Sequence, residues 1–329
     1  MTTSCDRREF LQACAVPALG ALVPIAAAAA PAGDDPTAAA PAADNPAAQS
    51  QAAENRAAAQ PPRDEAVDRR VPRAEAPDPL VTRMLQLAQV VASDLLVDLG
   101  TGDGRIAIAA ARDFGARARG IDYDLNIVEL ARRNAEQAGV SARATFEQGG
   151  LLAADLSSAD VVTMYLTSQL TLQLRRTLLA LKPGTRIVSR EFLMGDWEPE
   201  ESSSIGLRSM HLWVVPANAG GHWKLQLRQS DGTIDATMTI RQRFQILDGR
   251  VMLAGVETTM RDARMLGDQV HFAFTDTEGA LRIVDARIEP ARMIGAVATR
   301  DGDVAPFLAE RVGEAPPIEA ASPNAAPTR

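Results

Sequence analysis

Between residues 79 and 188, stretches of strand length alternate with stretches of helix length, and beyond Pro216 the helices stop. That single change of period decides most of what the chain can become. "PLVTRMLQLAQVV" places Leu80, Met84, Leu87 and Val91 on one helical face, "DLLVDLG" reads as a short buried strand and "RIAIAAARDF" as a helix. "ARARGID" predicts a second strand, "LNIVELARRNAEQAG" a helix, and "ADVVTMYL" another strand. "TLQLRRTLLALKPG" is a helix closed by Pro183 and Gly184, and "TRIVS" a further strand. Strands joined through helices form a parallel sheet covered on both faces. The expected fold class is α/β, a doubly wound, mostly parallel, Rossmann-like sheet over residues 79–216. In such sheets ligands sit beyond the carboxyl ends of the strands, beside the point where strand order reverses.

From 217 to 300 the pattern is different. "HWKLQLRQ", "TIDATMTIRQRFQIL", "RVMLAGVETTM", "QVHFAFTD", "LRIVDARI" and "MIGAVAT" are strand-like, separated by Asp231-Gly232, Asp248-Gly249, Gly267-Asp268 and Glu278-Gly279. Such spacing predicts an antiparallel β meander or partial barrel, with Ile234, Met238, Ile240, Phe244 and Ile246 on one face. A domain this short is expected to fill its interior with side chains rather than a ligand. Its edge could still recognise a substrate or a second copy.

Both ends differ from this core. Residues 1–32 carry Arg7 and Arg8, then an apolar, alanine-rich run to "APA", the pattern of a twin-arginine export signal and of a periplasmic destination; without its use the protein stays cytoplasmic. Residues 33–78 form an Ala/Pro-rich linker with almost no large apolar side chain, and 301–329 is expected to be a disordered tail. Cys5 and Cys14 both lie in the leader, so removing it leaves no thiol for disulfides, thiolate catalysis or metal binding. The net charge of -8, without a basic block, argues against a nucleic-acid partner, and no other segment is long and apolar enough to form a stable transmembrane span. His211, His222 and His271 have no metal spacing, so no metal site is expected. Trp213 and Trp223 flank the domain junction and are expected to pack there.

The chemistry concentrates in "VDLGTGDGR". Gly100, Gly102 and Gly104 alternate at a strand-to-helix turn, with Thr101 between the first two, so backbone amides can approach a ligand without intervening Cβ atoms. A dinucleotide loop would need a glycine where Arg105 stands, and the phosphate-loop pattern is also missing. Asp98, just before the turn, would repel a pyrophosphate but attract an ammonium group. Asp122 closes the next strand, where an acid can accept hydrogen bonds from two ribose hydroxyls. Together these residues suit S-adenosyl-L-methionine as cofactor.

On these motifs residues 79 to about 216 resemble class I S-adenosylmethionine-dependent methyltransferases. "VDLGTGDGRIAIAAAR", "ADVVTMYL", "LRRTLLALKPGTRIVS" and "MGDW" resemble the seven-stranded protein-lysine methyltransferases of the ATP synthase c subunit and adenine nucleotide translocator group, with their bacterial relatives. The resemblance implies that Asp98, Gly100, Gly102 and Gly104 cradle the methionine part, that Asp122 holds the ribose, and that Tyr165 lines the methyl-transfer pocket. It implies a protein or small-molecule amine as acceptor, a protein lysine first. Three positions depart from the group: Thr167 and Ser168 replace a Leu-Pro pair, Gly149 and Gly150 replace an adenine-facing acid, and "AEAPDP" replaces a Pro-Thr-Pro segment. Glu191, at the end of a predicted strand facing the same site, joins Tyr165 as a candidate catalytic residue. The alternative is an exported, non-catalytic protein of this fold, acting as a ligand-binding or interaction module through its β domain.

Overall fold

The computed structural model describes residues 78–229, 232–299 and 302–318. The twin-arginine leader and all but the last residue of the linker lie outside them, as does the tail from 319 onward.

Asp78 opens the fold by accepting a hydrogen bond from the backbone N–H of Leu80 at 2.9 Å, with Pro79 at the first helical position. Helix α1 (Pro79–Leu87) buries Leu80, Met84 and Leu87. Val91, expected on the same face, is 51% exposed. The helix has already ended, and Gln89 turns the chain at φ 50°.

Strand and helix then alternate, except between β3 and β4, which a single 3-10 turn at Leu151–Ala153 joins: β1 (Leu95–Leu99), α2 (Arg105–Asp113), β2 (Arg117–Asp122), α3 (Leu125–Gln137), β3 (Ala144–Gln148), β4 (Val161–Met164), α4 (Ser168–Leu179), β5 (Arg186–Arg190). An antiparallel hairpin, β6 (Glu201–Ile205) and β7 (Arg208–Val214), completes a seven-stranded sheet in the order β3-β2-β1-β4-β5-β7-β6. Strands β1 to β5 run parallel and β7 is antiparallel to β5. The mostly parallel α/β sheet is thus present, and strand order reverses between β1 and β4. Thr167 caps α4, its hydroxyl accepting from the N–H of Leu170 at 3.4 Å. A threonine at this position therefore has a local structural use.

The remainder is an antiparallel barrel. Strands β8 (Gly221–Gln229), β9 (Gly232–Arg243), β10 (Ile246–Leu253), β11 (Val256–Thr259), β12 (Arg261–Leu266), β13 (Gln269–Thr275), β14 (Leu281–Ile288), β15 (Arg292–Thr299) and β16 (Val304–Val312) follow one another as a meander. Pairing of β16 with β8, and of β9 with β10, closes a ring of eight; β11 extends the pairing of β10 as a ninth strand. The tail boundary at 301 is therefore corrected, because Val304–Val312 closes the barrel, burying Phe307 and Ala309 inside it. Closure leaves fewer exposed strand edges than the open sheet that the meander allowed.

The interior is filled by Met238, Ile240, Phe272, Phe274, Met293 and Phe307 with their neighbours, all buried. Trp223 is also fully buried there, beneath the Arg311 guanidinium at 4.1 Å. One predicted turn is misplaced. The chain reverses at Phe244–Gln245 rather than at Asp248-Gly249, and Gly249 lies within β10, tight against Met260 and Thr239. Phe244 consequently leaves the barrel face shared by Met238 and Ile240, and Ile246 faces outward. Among the described residues no helix is long and apolar enough to cross a membrane.

Candidate active site

The glycine loop leaves β1 at the carboxyl end of the sheet, beside β4. Gly100, Gly102 and Gly104 take φ values of 72°, 57° and 84°, a region costly for residues with a Cβ. At Gly100 a Cβ would also lie 2.8 Å from Leu166 Cδ2, just after β4. At Gly102 it would meet nothing within 4 Å, so the loop faces open space there. The N–H groups of Gly100 and Thr101 donate to the Ile121 carbonyl at 2.9 and 3.1 Å, pinning the loop to β2.

Asp122, at the end of β2, accepts from the Gly102 N–H at 3.2 Å on Oδ2 and from the Asp124 N–H at 3.2 Å on Oδ1. Each oxygen keeps a lone pair for a further donor. Asp98 sits differently. It is 1% exposed, with Oδ1 accepting from Thr163 Oγ1 at 2.7 Å and Oδ2 from Thr101 Oγ1 at 2.9 Å. Burial pushes its carboxyl up to about 6, against the two hydroxyls and with help from the Asp103 and Asp122 charges. The acid lies under the loop rather than in its mouth, and Thr101 is its tie.

Across the crevice, Tyr165 follows β4 and is 46% exposed. Its hydroxyl donates to Glu191 Oε2 at 3.4 Å, which brings together two residues distant in sequence. The Arg190 guanidinium lies 4.2 Å from the centre of the Tyr165 ring, and Arg208 Nη1 reaches Glu191 Oε1 at 3.5 Å. Glu191 adopts φ 68°, a backbone conformation a glutamate holds only when its surroundings enforce it; such strain recurs at functional sites.

Two contributors carried no sequence signal. Tyr123, 76% exposed beside Asp122, has its carbonyl bound by Gln148 Nε2 at 3.0 Å. Gly120 is the other: a Cβ on it would lie 2.5 Å from Phe146 Cδ1 and closer still to Thr101 Oγ1. Only the assembled sheet reveals that crowding. Among the described residues no group of His, Cys, Asp and Glu is placed to hold a metal. His211, His222 and His271 instead meet Ser202, Thr239 and Asp285 at 2.8, 3.0 and 2.6 Å.

A positive-φ glycine turn open to solvent, facing a strand-end carboxylate with free lone pairs, fits S-adenosylmethionine. With the 3-2-1-4-5-7-6 sheet it defines an S-adenosylmethionine-dependent methyltransferase. Residues 98–201 match the family model described as the ANTKMT methyltransferase domain. A protein-lysine N-methyltransferase of Saccharolobus islandicus (strain REY15A) is 42% identical over 145 residues, 44% of this chain and 90% of that protein. The chain belongs to this methyltransferase family. Two lysine N-methyltransferases of Mus musculus, one for the ATP synthase c subunit and one for adenine nucleotide translocase, are 32% and 33% identical. Each aligns with 38% of this chain, which spans only 51% and 55% of their lengths. A crystal structure of an RNA methyltransferase from Salinibacter ruber with S-adenosyl-L-homocysteine is 46% identical, covering 44% of this chain and 94% of that one, with a TM-score of 0.42.

Proposed function

We propose that this chain transfers a methyl group from S-adenosylmethionine to the side-chain amine of a protein lysine, in the crevice between the glycine loop and the Tyr165–Glu191 pair. The observation that carries this reading is that pair, an oriented hydroxyl and carboxylate beside the loop; the lysine methyltransferases among the relatives support the choice of acceptor. Gly100, Thr101, Gly102 and Gly104 would shape the binding loop. Asp122 would accept from the ribose, and Asp98 would brace the loop from below. The bound cofactor supplies an electrophilic methyl on a sulfonium. The protein's part is then to position and prepare the amine. A lysine ammonium must shed a proton before its lone pair attacks. Glu191 would receive it, directly or through the Tyr165 hydroxyl as that hydroxyl passes its own proton to the carboxylate, and the pair would aim Nζ in line, with the N–C bond forming as the C–S bond breaks. The packed side chains inside the barrel, Met238, Phe272, Phe274 and Phe307 among them, weigh against a ligand-binding reading of the β domain.

The test has two stages. Saturating S-adenosylmethionine at a hundred times its Kd should stabilise the protein by about 2.7 kcal/mol in a thermal shift. Asp122→Ala is expected to weaken binding about tenfold or more, at roughly 1.4 kcal/mol per decade. Methyl label transferred to cell protein should then appear in methyl-lysine after acid hydrolysis; label on RNA or only on small amines overturns the acceptor assignment.

The leader reading adds a prediction about place. The methyl donor is made in the cytoplasm, so methylation is proposed to precede export through the Arg7-Arg8 signal. Replacing both arginines with lysine should shift the protein to the cytoplasmic fraction, and an unchanged distribution would remove the signal assignment.

A further inference from the structure

We propose that the barrel positions the acceptor side of the active site, gripping the segment behind Glu191 through its β9–β10 hairpin. Phe244 is the tip of that hairpin, at φ 52°, yet it is 1% exposed and belongs to the apolar core of the α/β sheet, with Leu174, Leu178 and Trp213. Its ring stacks on Trp197 with centroids 5.7 Å apart and planes 9° from parallel. The Trp197 indole N–H is buried without a hydrogen-bond partner, so packing alone holds this ring.

Polar contacts fix the same segment. Asp196 is clasped between Arg175 of α4 and Arg243 of the hairpin, the latter at 2.8 Å from Nη2 to Oδ2. Gln245 Nε2 donates to the Glu198 carbonyl at 2.7 Å. Trp213 Nε1 donates to the Trp197 carbonyl, and Arg175 to that of Met194, at 2.8 and 3.0 Å. Residues 191–198 therefore run from the catalytic mouth to a clamp half built from the barrel. At the mouth end the N–H of Glu191 is tied to the Ser209 carbonyl at 3.0 Å.

The Phe192 N–H donates to the Arg190 carbonyl at 2.9 Å across Glu191, and a three-residue turn closed at φ 68° is a strained one that a brace must hold. The Saccharolobus relative aligns over 90% of its length with less than half of this chain, leaving no room in it for a comparable barrel. Here Arg243 and Phe244 are positioning residues: they touch no substrate and act through the 191–198 segment. This inference rests on the proposed lysine methylation for its kinetic consequence alone.

The experiment compares Arg243→Ala, Arg243→Lys and Phe244→Ala in the full chain. Arg243 is half exposed, so its alanine variant should fold even where Phe244→Ala does not. Amide exchange at 191–198 should accelerate in Arg243→Ala while 98–104 stay protected, and S-adenosyl-L-homocysteine should bind within twofold of wild type. Turnover of the lysine acceptor should fall about tenfold to a hundredfold, as small displacements of reacting groups do, with partial rescue in Arg243→Lys. Unchanged exchange at 191–198, or exchange and cofactor affinity lost throughout the sheet, overturns the proposal. A wild-type protein that never methylates lysine would sink the acceptor assignment instead, and the exchange comparison would still decide the brace.

Discussion

Gly120→Ala is expected to destabilise the protein by about 3 kcal/mol, the upper end of ordinary overpacking, and to weaken cofactor binding at least tenfold. Gly120 stands in the middle of a cross-strand row: Thr163 on β4, Asp98 on β1, Gly120 on β2 and Phe146 on β3 are register partners. A methyl group there meets the Phe146 ring at 2.5 Å and the Thr101 hydroxyl more closely still. Both neighbours are committed. The Phe146 ring also supports the loop's far end, where a Cβ on Gly104 would lie 2.8 Å from its Cε1. Thr101 cannot swing away without releasing Asp98. The loop must therefore lift, which turns a stability defect into a binding defect. Gly102→Ala is the control, since its Cβ would have open space and would carry only the backbone cost of φ 57°, about 1–2 kcal/mol. Denaturant midpoints and cofactor-induced thermal shifts on both variants check this; equal loss of stability in the two would refute the crowding argument.

That contrast shows where sequence was enough and where it was not. The period change near Pro216, the strand-loop-helix around Asp98 and the acid at Asp122 are local patterns, and local patterns survive in one dimension. Gly120 is an ordinary strand glycine until β1, β2 and β3 come into register. Strand β3 buries only Ala144 and Phe146, too little alternation to stand out. Strand β16 reads "VAPFLAERV", with a proline near its start and a Glu-Arg pair near its end, and resembles the tail that follows it. It is a strand because barrel closure supplies partners on both sides. The turn at Phe244 was hidden for a related reason: a large aromatic in the left-handed region is poor turn chemistry, tolerated because the ring is buried in another core. Asp248-Gly249 offered better local chemistry and lost to tertiary packing. The places of Tyr165 and Glu191 at strand ends are legible in the sequence, whereas their hydrogen bond, the strain at Glu191 and its arginine neighbours need the folded chain.

Asp98 should make the fold less stable as pH rises from about 4 to about 6. Its carboxyl titrates near 6 when folded and near 3.8 when exposed, because burial outweighs the two hydroxyl bonds. Between those values the folded state holds more protons than the unfolded state, so stability falls with rising pH and levels off above 6. The full loss is up to about 3 kcal/mol, two pH units at 1.36 kcal/mol each. Asp98→Asn should remove this part of the slope, since an amide can still meet the Thr101 and Thr163 hydroxyls, which turn to donate or accept. It should leave the part due to Glu200, whose carboxyl burial pushes up to about 7. The same variant separates two ways in which the acid could serve the cofactor. If Asp98 braces the loop, as its burial indicates, asparagine keeps binding within a few-fold at pH 7 while alanine, which releases both threonines, loses it. Direct contact with an ammonium would instead make asparagine nearly as damaging as alanine, because the charge would be the functional property. Urea midpoints for wild type and both variants at pH 4, 5, 6 and 7, alongside cofactor titrations at pH 7, distinguish the two. Asp103, Asp160 and Asp196 are held below the usual carboxylate range and push the overall slope the other way, so the difference between wild type and Asp98→Asn carries the sign; a difference of the opposite sign would mean that the carboxylate is better solvated than its place beneath the loop allows.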